Sequence, residues 1–147
     1  MRTVAVSHSD DKEDLATKLG AKHFINTANQ DGAKELQKLG GAKLILATAP
    51  HSDAISAIVD GLGIDGKLLM VAATGEPIEV SPMQLLMGRK SASGWPSGTA
   101  IDSEDTLNFS AMTGTKPMIE EFPLDKVDEA FKKMMDNKAR FRVVLKP

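Results

Sequence analysis

Short apolar β-forming runs alternate with helix-forming segments through the first half of the chain. The strands are predicted at Thr3–Val6, His23–Asn26, Leu44–Ala47 and Leu68–Ala73. Helical patterns separate them, so the repeat predicts an α/β fold in which parallel strands are joined by right-handed crossovers. In such a doubly wound sheet, ligands bind at the carboxyl ends of the strands. We therefore expect functional residues in the loops that follow Val6, Ala47 and Val71.

Hydroxyl, carboxylate and glycine residues mark the expected ends of the helices. The residues expected to cap helix N-termini are Ser9, Ser52 and Asp125. The glycines expected to end helices are Gly20, Gly40, Gly41 and Gly114. The apolar face predicted for the helix after Ser52 consists of Ile55, Ile58, Val59 and Leu62.

The alternation is less regular beyond Pro77. The elements predicted there are a strand at Ile78–Val80, a helix from Pro82 through Met87, a strand at Ser91–Trp95, a helix from Ser103 to Met112, and a terminal strand from Arg140 to Leu145. Before that last strand, a helix should direct Val127, Phe131 and Met134 inward. We expect one dinucleotide-binding domain over residues 1–147, which includes the closing helix and strand at about 123–147.

Composition excludes several classes of partner. The 147 residues are 41% hydrophobic and 26% charged, which suits one globular domain. A net charge of −2 with mixed signs provides no basic stripe, so we expect neither nucleic acid nor a membrane surface as a partner. No apolar run approaches the roughly 20 residues of a membrane span, and no signal peptide is recognisable. The expected compartment is the cytoplasm.

Catalytic metal and nucleophile motifs are missing from the sequence. The chain has no cysteine, which excludes disulfides and cysteine-ligated zinc. His8, His23 and His51 are scattered without acidic residues at metal-ligand spacing. No Gly-x-Ser-x-Gly turn occurs, so hydrolase chemistry has no support. We predict no metal site and no catalytic residue in this chain.

The first candidate site follows the first strand, where Ser7, Ser9 and Lys12 lie close together in sequence. In a dinucleotide fold this corner meets the adenosine ribose: an acidic residue suits the 2′-hydroxyl, whereas hydroxyls and a cation suit a 2′-phosphate. The hydroxyls and the cation at this corner favour NADP, with NAD as the alternative. The nearby carboxylates of Asp10 and Asp11 weaken this prediction. An ordinary helix cap at Ser9 with a solvated Lys12 explains the same residues.

The second candidate site combines two loops, Ala47–His51 and Val71–Gly75, after the third and fourth strands. Small residues there leave room for a flat ring against the backbone, and free backbone groups could bind an amide. Ordinary tight turns between strands and helices have a similar composition, so the sequence leaves both interpretations open.

Three long segments together resemble the zinc-type, medium-chain alcohol dehydrogenases. They read VAVSHSDDKEDLATKLGAKHFINT, ILATAPHSDAISAIVDGLGIDGKLLMVAATG and FPLDKVDEAFKKMMDNKARFRVVLKP. The resemblance implies a Rossmann-like cofactor domain in which Ser7, Ser9 and Lys12 select NADP. It also implies that Ala47, Thr48, Val71 and Ala73 line the nicotinamide side and that Arg142 reaches the pyrophosphate. The intact parent would bind zinc elsewhere and transfer hydride between a primary alcohol or aldehyde and NADP(H).

The chain departs from that family at one decisive place. The Gly-x-Gly-x-x-Gly turn is absent, and with it the first, central strand of the doubly wound, mainly parallel sheet. We expect a fragment that is inactive alone and in which two strand edges lack a partner. They could pair as Thr3–Val6 with Leu44–Ala47, pair with another copy, or receive a strand from a separate piece. The alternative function is a non-catalytic assembly module that forms a homo-oligomer through the edge near Ser91–Gly98.

Overall fold

The structure is a computed structural model that describes residues 2–136 and 138–147. These residues form two compact units, the first ending at Ser97 and the second running from Gly98 to Pro147. The assignment of one dinucleotide-binding domain to residues 1–147 remains a prediction. In the described part of the chain, no helix is long and apolar enough to cross a membrane.

The first unit is an alternation of strands and helices, as the sequence pattern predicts. Its strands are β1 (Val4–Ser7), β2 (His23–Asn26), β3 (Ala42–Ala47), β4 (Leu62–Met70) and β5 (Ser91–Gly94). Its helices are α1 (Glu13–Lys18), α2 (Gly32–Lys38), α3 (Ser52–Ile58) and α4 (Pro82–Leu86). Two 3-10 turns, Asp10–Lys12 and Val59–Gly61, precede α1 and β4.

All strand pairing in the first unit is parallel, which confirms the predicted α/β class. β1 pairs with β2, whereas β4 lies between β3 and β5 in a separate sheet. Leu62 and Leu68 of β4 are completely buried together with Val59, and Ile55 of α3 packs in the same core. Burial of such side chains contributes about 1.5–3 kcal/mol each, so this shared core stabilises the sheet and its helix together.

Helix α2 connects the two sheets. A Cβ added at Gly32, its first residue, would lie 2.9 Å from Cδ1 of Ile58 and 3.9 Å from Cγ1 of Val6. Ala33 and Leu36 are buried, and Leu36 packs so closely on Gly61 that a Cβ there would meet Leu36 at 2.7 Å. The helix therefore contacts β1 at one end of the unit and the turn before β4 at the other.

Of the three possibilities for the edges of the first and third strands, direct pairing with each other is wrong. Over residues 2–136 and 138–147, β1 hydrogen-bonds only to β2, and β3 only to β4. Each keeps an unpaired edge, and Val6, Leu44 and Leu46 on these strands are exposed. The helix α2 holds the sheets in one unit without bringing the two edges into register. Pairing with another copy or with a separate strand stays a prediction.

Two elements differ from the sequence pattern because burial alone does not specify conformation. Ile78–Val80 forms no strand; Ile78 and Val80 pack on the core of β4, while the backbone N–H of Glu79 donates to Oγ of Ser56 at 2.9 Å. Leu62 begins β4 instead of ending α3, because α3 ends at Ile58 and the 3-10 turn Val59–Gly61 follows it. β4 also ends at Met70, three residues before the predicted Ala73.

The helix ends follow the glycines better than the predicted caps. Gly20, Gly40, Gly41 and Gly114 all adopt positive φ after helices, as predicted. Ser9 occupies the cap of a 3-10 turn without a capping hydrogen bond, Ser52 is the first residue of α3, and Asp125 lies inside a 3-10 turn. The prediction of side-chain caps at these three positions is wrong. The Ser9 hydroxyl donates to Asp11.

The second unit contains two helices and a pair of parallel strands. They are α5 (Ala100–Thr113), β6 (Ile119–Pro123), α6 (Val127–Met135) and β7 (Arg142–Lys146), with a 3-10 turn at Leu124–Lys126. The strand β6 is absent from the sequence prediction because Ile119–Pro123 carries two glutamates in five residues. Glu120 binds Lys133 and the backbone N–H of Arg140, and these hydrogen bonds lower the pKa of Glu120.

The prediction that Val127, Phe131 and Met134 point inward is wrong for the structure described. All three are exposed, and only Ala130 of α6 is buried. The spacing correctly identifies an amphipathic helix, but the periodicity of one helix cannot specify which surface covers its apolar face.

The unpaired edges of β1 and β3 predict a distinctive pattern of amide exchange. Amides in a parallel strand point alternately to its two sides, so alternate amides of β1 and β3 should exchange at least about tenfold faster than those of Leu68–Met70 in β4. Hydrogen exchange followed by NMR measures this pattern, with β4 as the internal control. Uniform protection along β1 and β3 would show that both edges are paired in solution.

Candidate functional site

The corner at the carboxyl end of β1 is held by the end of the neighbouring strand. The backbone N–H of Thr27 donates to the carbonyl oxygen of Ser7 at 2.8 Å, and the Thr27 hydroxyl donates to the same oxygen at 3.2 Å. The Thr27 hydroxyl also lies 3.5 Å from Nδ1 of His8. β2 therefore orients the segment that carries the first predicted group, Ser7, Ser9 and Lys12.

Acidic and basic side chains meet at this corner. Ser7 and Lys12 are half-buried, whereas Ser9 is exposed and donates its hydroxyl to the carboxylate of Asp11. The carboxylate of Asp10 accepts from Nδ2 of Asn26 at 2.6 Å. In the part of the chain that the structure describes, Lys12 forms no ion pair. The corner thus offers hydroxyl groups and one cation, and each of its two carboxylates accepts a hydrogen bond, Asp10 from Asn26 and Asp11 from Ser9.

Asn26 organises the turn behind the corner. It is not among the site residues predicted from the sequence. Its side chain is 7% exposed; besides donating to Asp10, its Oδ1 accepts from the N–H of Ala28 at 2.9 Å. The backbone N–H of Asn26 donates to Oε1 of Gln30 at 3.2 Å. An asparagine directly after an apolar strand run is the only signal that the sequence gives, and it is shared by many ordinary turns.

The second predicted group lies at the adjacent carboxyl ends of β3 and β4. Ala47 is buried, Thr48, Val71 and Ala73 are exposed, and the N–H of Val71 donates to the carbonyl oxygen of Ala47 at 3.1 Å. An open cavity of about 250 Å³ lies between the two loops. Its lining residues are Pro50, His51, Ser52, Asp53, Thr74, Gly75 and Glu76. The structure therefore brings the two loops together, with small residues at the strand ends and polar residues around the cavity.

Arg142, the remaining predicted site residue, is exposed at the start of β7 in the second unit. Ser7, Ser9, Lys12 and the four residues after β3 and β4 all belong to the first unit. No group of three or more histidine, cysteine, aspartate or glutamate side chains among the described residues is arranged to hold a metal ion.

Parallel strands linked by helices, with polar loops collected at the carboxyl ends, define a nucleotide-binding fold of the Rossmann type. The model of the family described as zinc-binding dehydrogenase matches residues 1–113. The chain belongs to this family.

Relatives with known names agree with this assignment. An alcohol dehydrogenase, patD, of Penicillium expansum is 48% identical over 144 residues, which cover 98% of this chain and 42% of that protein. A probable formaldehyde dehydrogenase, AdhA, of Bacillus subtilis is 34% identical over 95% of this chain and 40% of its own length. The chain therefore spans about two fifths of the length of these relatives.

The fold is also found in solved structures. A putative alcohol dehydrogenase from Sinorhizobium meliloti superposes with a TM-score of 0.89 at 24% identity, covering 99% of this chain and 44% of that one. A benzyl alcohol dehydrogenase from Acinetobacter calcoaceticus gives a TM-score of 0.84 over 99% of this chain and 43% of its own. These likenesses confirm the Rossmann-like architecture predicted from the sequence.

Replacing Asn26 tests whether it organises the turn behind the corner. We expect Asn26→Ala to lower the free energy of unfolding by about 1–3 kcal/mol, because the N–H of Ala28 and the carboxylate of Asp10 lose their partner. Urea unfolding followed by circular dichroism measures the change. Asn29→Ala, at an exposed position in the same turn, is the matched control and should change stability by less than about 0.5 kcal/mol. Equal effects in both variants would contradict this role.

Proposed function

We propose that this chain is the cofactor-binding part of a zinc-type alcohol dehydrogenase that uses NADP(H). The whole protein would transfer hydride between a primary alcohol or aldehyde and the nicotinamide, in the cytoplasm. Membership of the zinc-binding dehydrogenase family and the alcohol dehydrogenases among the relatives support the reaction class. We propose that this chain alone supports no turnover.

The observation that carries the choice of NADP is the chemistry of the corner after β1. The strand ends in Ser7, where a carboxylate would accept from the 2′-hydroxyl of NAD. Asp10 follows three positions later, and its carboxylate accepts a hydrogen bond from Asn26. Lys12 is a cation without an ion-pair partner among the described residues, and a 2′-phosphate would supply one. Ser9 would bind the phosphate after releasing Asp11.

The remaining predicted residues would hold the rest of the cofactor. Ala47, Thr48, Val71 and Ala73 are proposed for the nicotinamide side because they lie at two adjacent strand ends. None of the four lines the cavity between the loops, which is formed by the residues that follow them. Arg142 would contact the pyrophosphate. The bound nicotinamide supplies the carbon that accepts or gives the hydride.

The residues of this chain do not fit a zinc centre. The sequence has no cysteine, and the described histidines and carboxylates form no ligand group. We therefore assign zinc to a part of the whole protein outside this chain.

Lys12 should contribute selectively to binding of a 2′-phosphate. We expect Lys12→Ala to weaken binding of adenosine 2′,5′-bisphosphate about five- to tenfold, because the charge pairs with the 2′-phosphate, and to leave 5′-AMP unchanged. Lys18→Ala, an exposed lysine at the end of α1, is the matched control. Calorimetric or NMR titration of the native chain and both variants gives the affinities.

Three results would contradict the proposal of an NADP site at this corner. They are no preference of the native chain for the bisphosphate, an equal loss for both probes in Lys12→Ala, and an equal loss in the Lys18 control. Conversely, turnover of an alcohol by this chain without added metal would contradict its assignment as an inactive part.

One observation favours the alternative function of an assembly module. β5 pairs only with β4 among the described residues, and Trp95, which follows β5, is 58% exposed. An open parallel edge with an exposed tryptophan is a suitable interface for a second copy through Ser91–Gly98.

Trp95→Glu tests the assembly hypothesis. If β5 forms the interface, the substitution should weaken self-association at least about tenfold, because it places a charge among buried apolar groups. Leu19→Glu is the control, since Leu19 is 61% exposed at the end of α1. Sedimentation velocity at several concentrations measures association, and identical behaviour of native chain and Trp95→Glu would contradict an interface at this edge.

A further inference from the structure

The edge strand β5 is attached to β4 without a buried apolar side chain of its own. Ser91, Ala92 and Gly94 are exposed and Ser93 is half-buried, so β5 contributes none of the buried apolar residues of the described chain. Among the described residues, the hydroxyl oxygen of Ser93 is buried without a hydrogen-bond partner, and water would hydrate this group if the strand detached. Backbone pairing, and not side-chain packing, therefore holds β5 in the sheet.

An ion pair joins the two chain segments directly before their paired residues. The register of β4 and β5 begins with Lys67 opposite Ser91, and Asp65 and Arg89 precede these residues by two positions each. Nε and Nη2 of Arg89 donate to the two carboxylate oxygens of Asp65 at 2.8 and 2.9 Å. The N–H of Asp65 donates to the carbonyl oxygen of Gly88 at 2.8 Å. We call these three hydrogen bonds the clasp; its bidentate geometry is the one in which an exposed ion pair contributes to attachment.

Both side chains of the clasp belong to residues with a backbone conformation that L-amino acids rarely adopt. Asp65 has φ 56° and Arg89 has φ 51°, and no other non-glycine residue in the part of the chain that the structure describes has positive φ. Such a conformation costs energy and persists where neighbouring contacts impose it. The contacts that these two residues share are those of the clasp, so the ion pair and the two strained turns depend on each other.

The β4 side of the clasp is fixed by β3. A Cβ at Gly66 would lie 2.7 Å from the carbonyl oxygen of Ala42. Nζ of Lys43 in β3 also donates to the carbonyl oxygen of Ile64 at 2.8 Å. On the other side, the clasp follows α4, a helix without a buried residue. When the clasp opens, the turn before β5 is therefore the part that can move, while β4 stays with β3.

We propose that the clasp is a conformational device that controls whether β5 is paired with β4. When it is closed, the pairing extends to the carboxyl end of β5, where the N–H of Trp95 donates to the carbonyl oxygen of Met70 at 2.9 Å. When it opens, β5 separates as a unit, the edge of β4 becomes free for another strand, and the surface Ser91–Gly98 moves with β5. The clasp lies toward the amino ends of β4 and β5, so this role goes beyond the cofactor site proposed at the carboxyl ends.

Ionic strength is the condition that should open the clasp near neutral pH. The hydrogen bond from Arg89, together with the charges of Arg89 and Lys43, lowers the pKa of Asp65, so its carboxylate is ionised there. The side chains of Asp65 and Arg89 are 50% and 76% exposed, so salt ions reach the pair and screen its attraction.

Two amides at the carboxyl ends of the strands report separately on the pairing of β5 and of β3. The N–H of Trp95 donates to Met70 of β4, whereas the N–H of Val71 donates to the carbonyl oxygen of Ala47 in β3 at 3.1 Å. Hydrogen exchange of both amides is followed by NMR on the native 147-residue chain. Raising the NaCl concentration from about 0.05 M to about 1 M should accelerate exchange at Trp95 about three- to tenfold relative to Val71, because screening opens the clasp.

Arg89→Gln and Asp65→Asn remove the ion pair from either side with little change in side-chain size. At low salt we expect each variant to accelerate exchange at Trp95 about five- to tenfold relative to Val71, and the salt effect should disappear. The double variant should exchange no faster than either single variant, because the first substitution already removes the interaction.

Lys38→Gln is the matched control. Lys38 is the exposed cation of an ion pair with Glu35 at 2.6 Å within α2, so its loss should leave the ratio of the two exchange rates unchanged. The proposal is overturned by an unchanged ratio in both clasp variants, by equal acceleration of the two amides, or by the same effect in Lys38→Gln.

The native chain alone also decides the question, if the clasp variants do not fold. A ratio of the Trp95 and Val71 exchange rates that stays constant between the two salt concentrations overturns the proposal. Exchange at Trp95 in the native chain at low salt that is as fast as in an unfolded chain also overturns it, because β5 would then be unpaired with the clasp intact.

Discussion

The pairing of β4 with a parallel strand on each side is the interaction on which the first unit depends. It aligns β3, β4 and β5 and buries Leu62 and Leu68 completely. β3 and β4 approach so closely that a Cβ at Gly66 would lie 2.7 Å from the carbonyl oxygen of Ala42. Because the strands are parallel, the loops after Ala47 and Met70 leave the sheet side by side, and the cavity between them follows from that alignment.

The unpaired edges of β1 and β3 connect folding with the proposed function. The corner that would bind adenosine belongs to the sheet of β1 and β2, whereas the loops that would bind nicotinamide belong to the sheet of β3, β4 and β5. Helix α2 packs against both parts, through Gly32 and Leu36. A strand that paired with both edges would make one continuous sheet and hold the two halves of the proposed site at a fixed distance. We therefore propose that pairing of a further strand with these edges increases the affinity of this chain for the cofactor.

Sequence reasoning predicts the alternation of strands and helices here because the periodicity of buried residues differs between the two. β2 matches its predicted bounds, and the glycines after the helices adopt positive φ as expected. Prediction from periodicity fails where an apolar side chain can be buried in more than one backbone conformation, as at Leu62 and Ile78. At the candidate site, sequence reasoning predicts Ser7 and Lys12 from residue type, and this stays a prediction. It misses Asn26 and Thr27, whose contacts depend on hydrogen bonds between separate strands. It also predicts that Phe131 of α6 points inward, whereas Phe131 is exposed, because periodicity does not show whether another surface covers an apolar face.

The central claim is that one cofactor site is formed by the carboxyl ends of strands from both sheets. Titration of the isotopically labelled chain with NADP⁺, followed by amide chemical shifts, tests it most directly. The account predicts shift changes in Ser7–Lys12, Ala47–Ser52 and Val71–Glu76, and none at Asp65 and Gly88, which are hydrogen-bonded to each other near the amino ends of the strands. Changes centred on Asp65 and Gly88, or confined to one sheet, would contradict it.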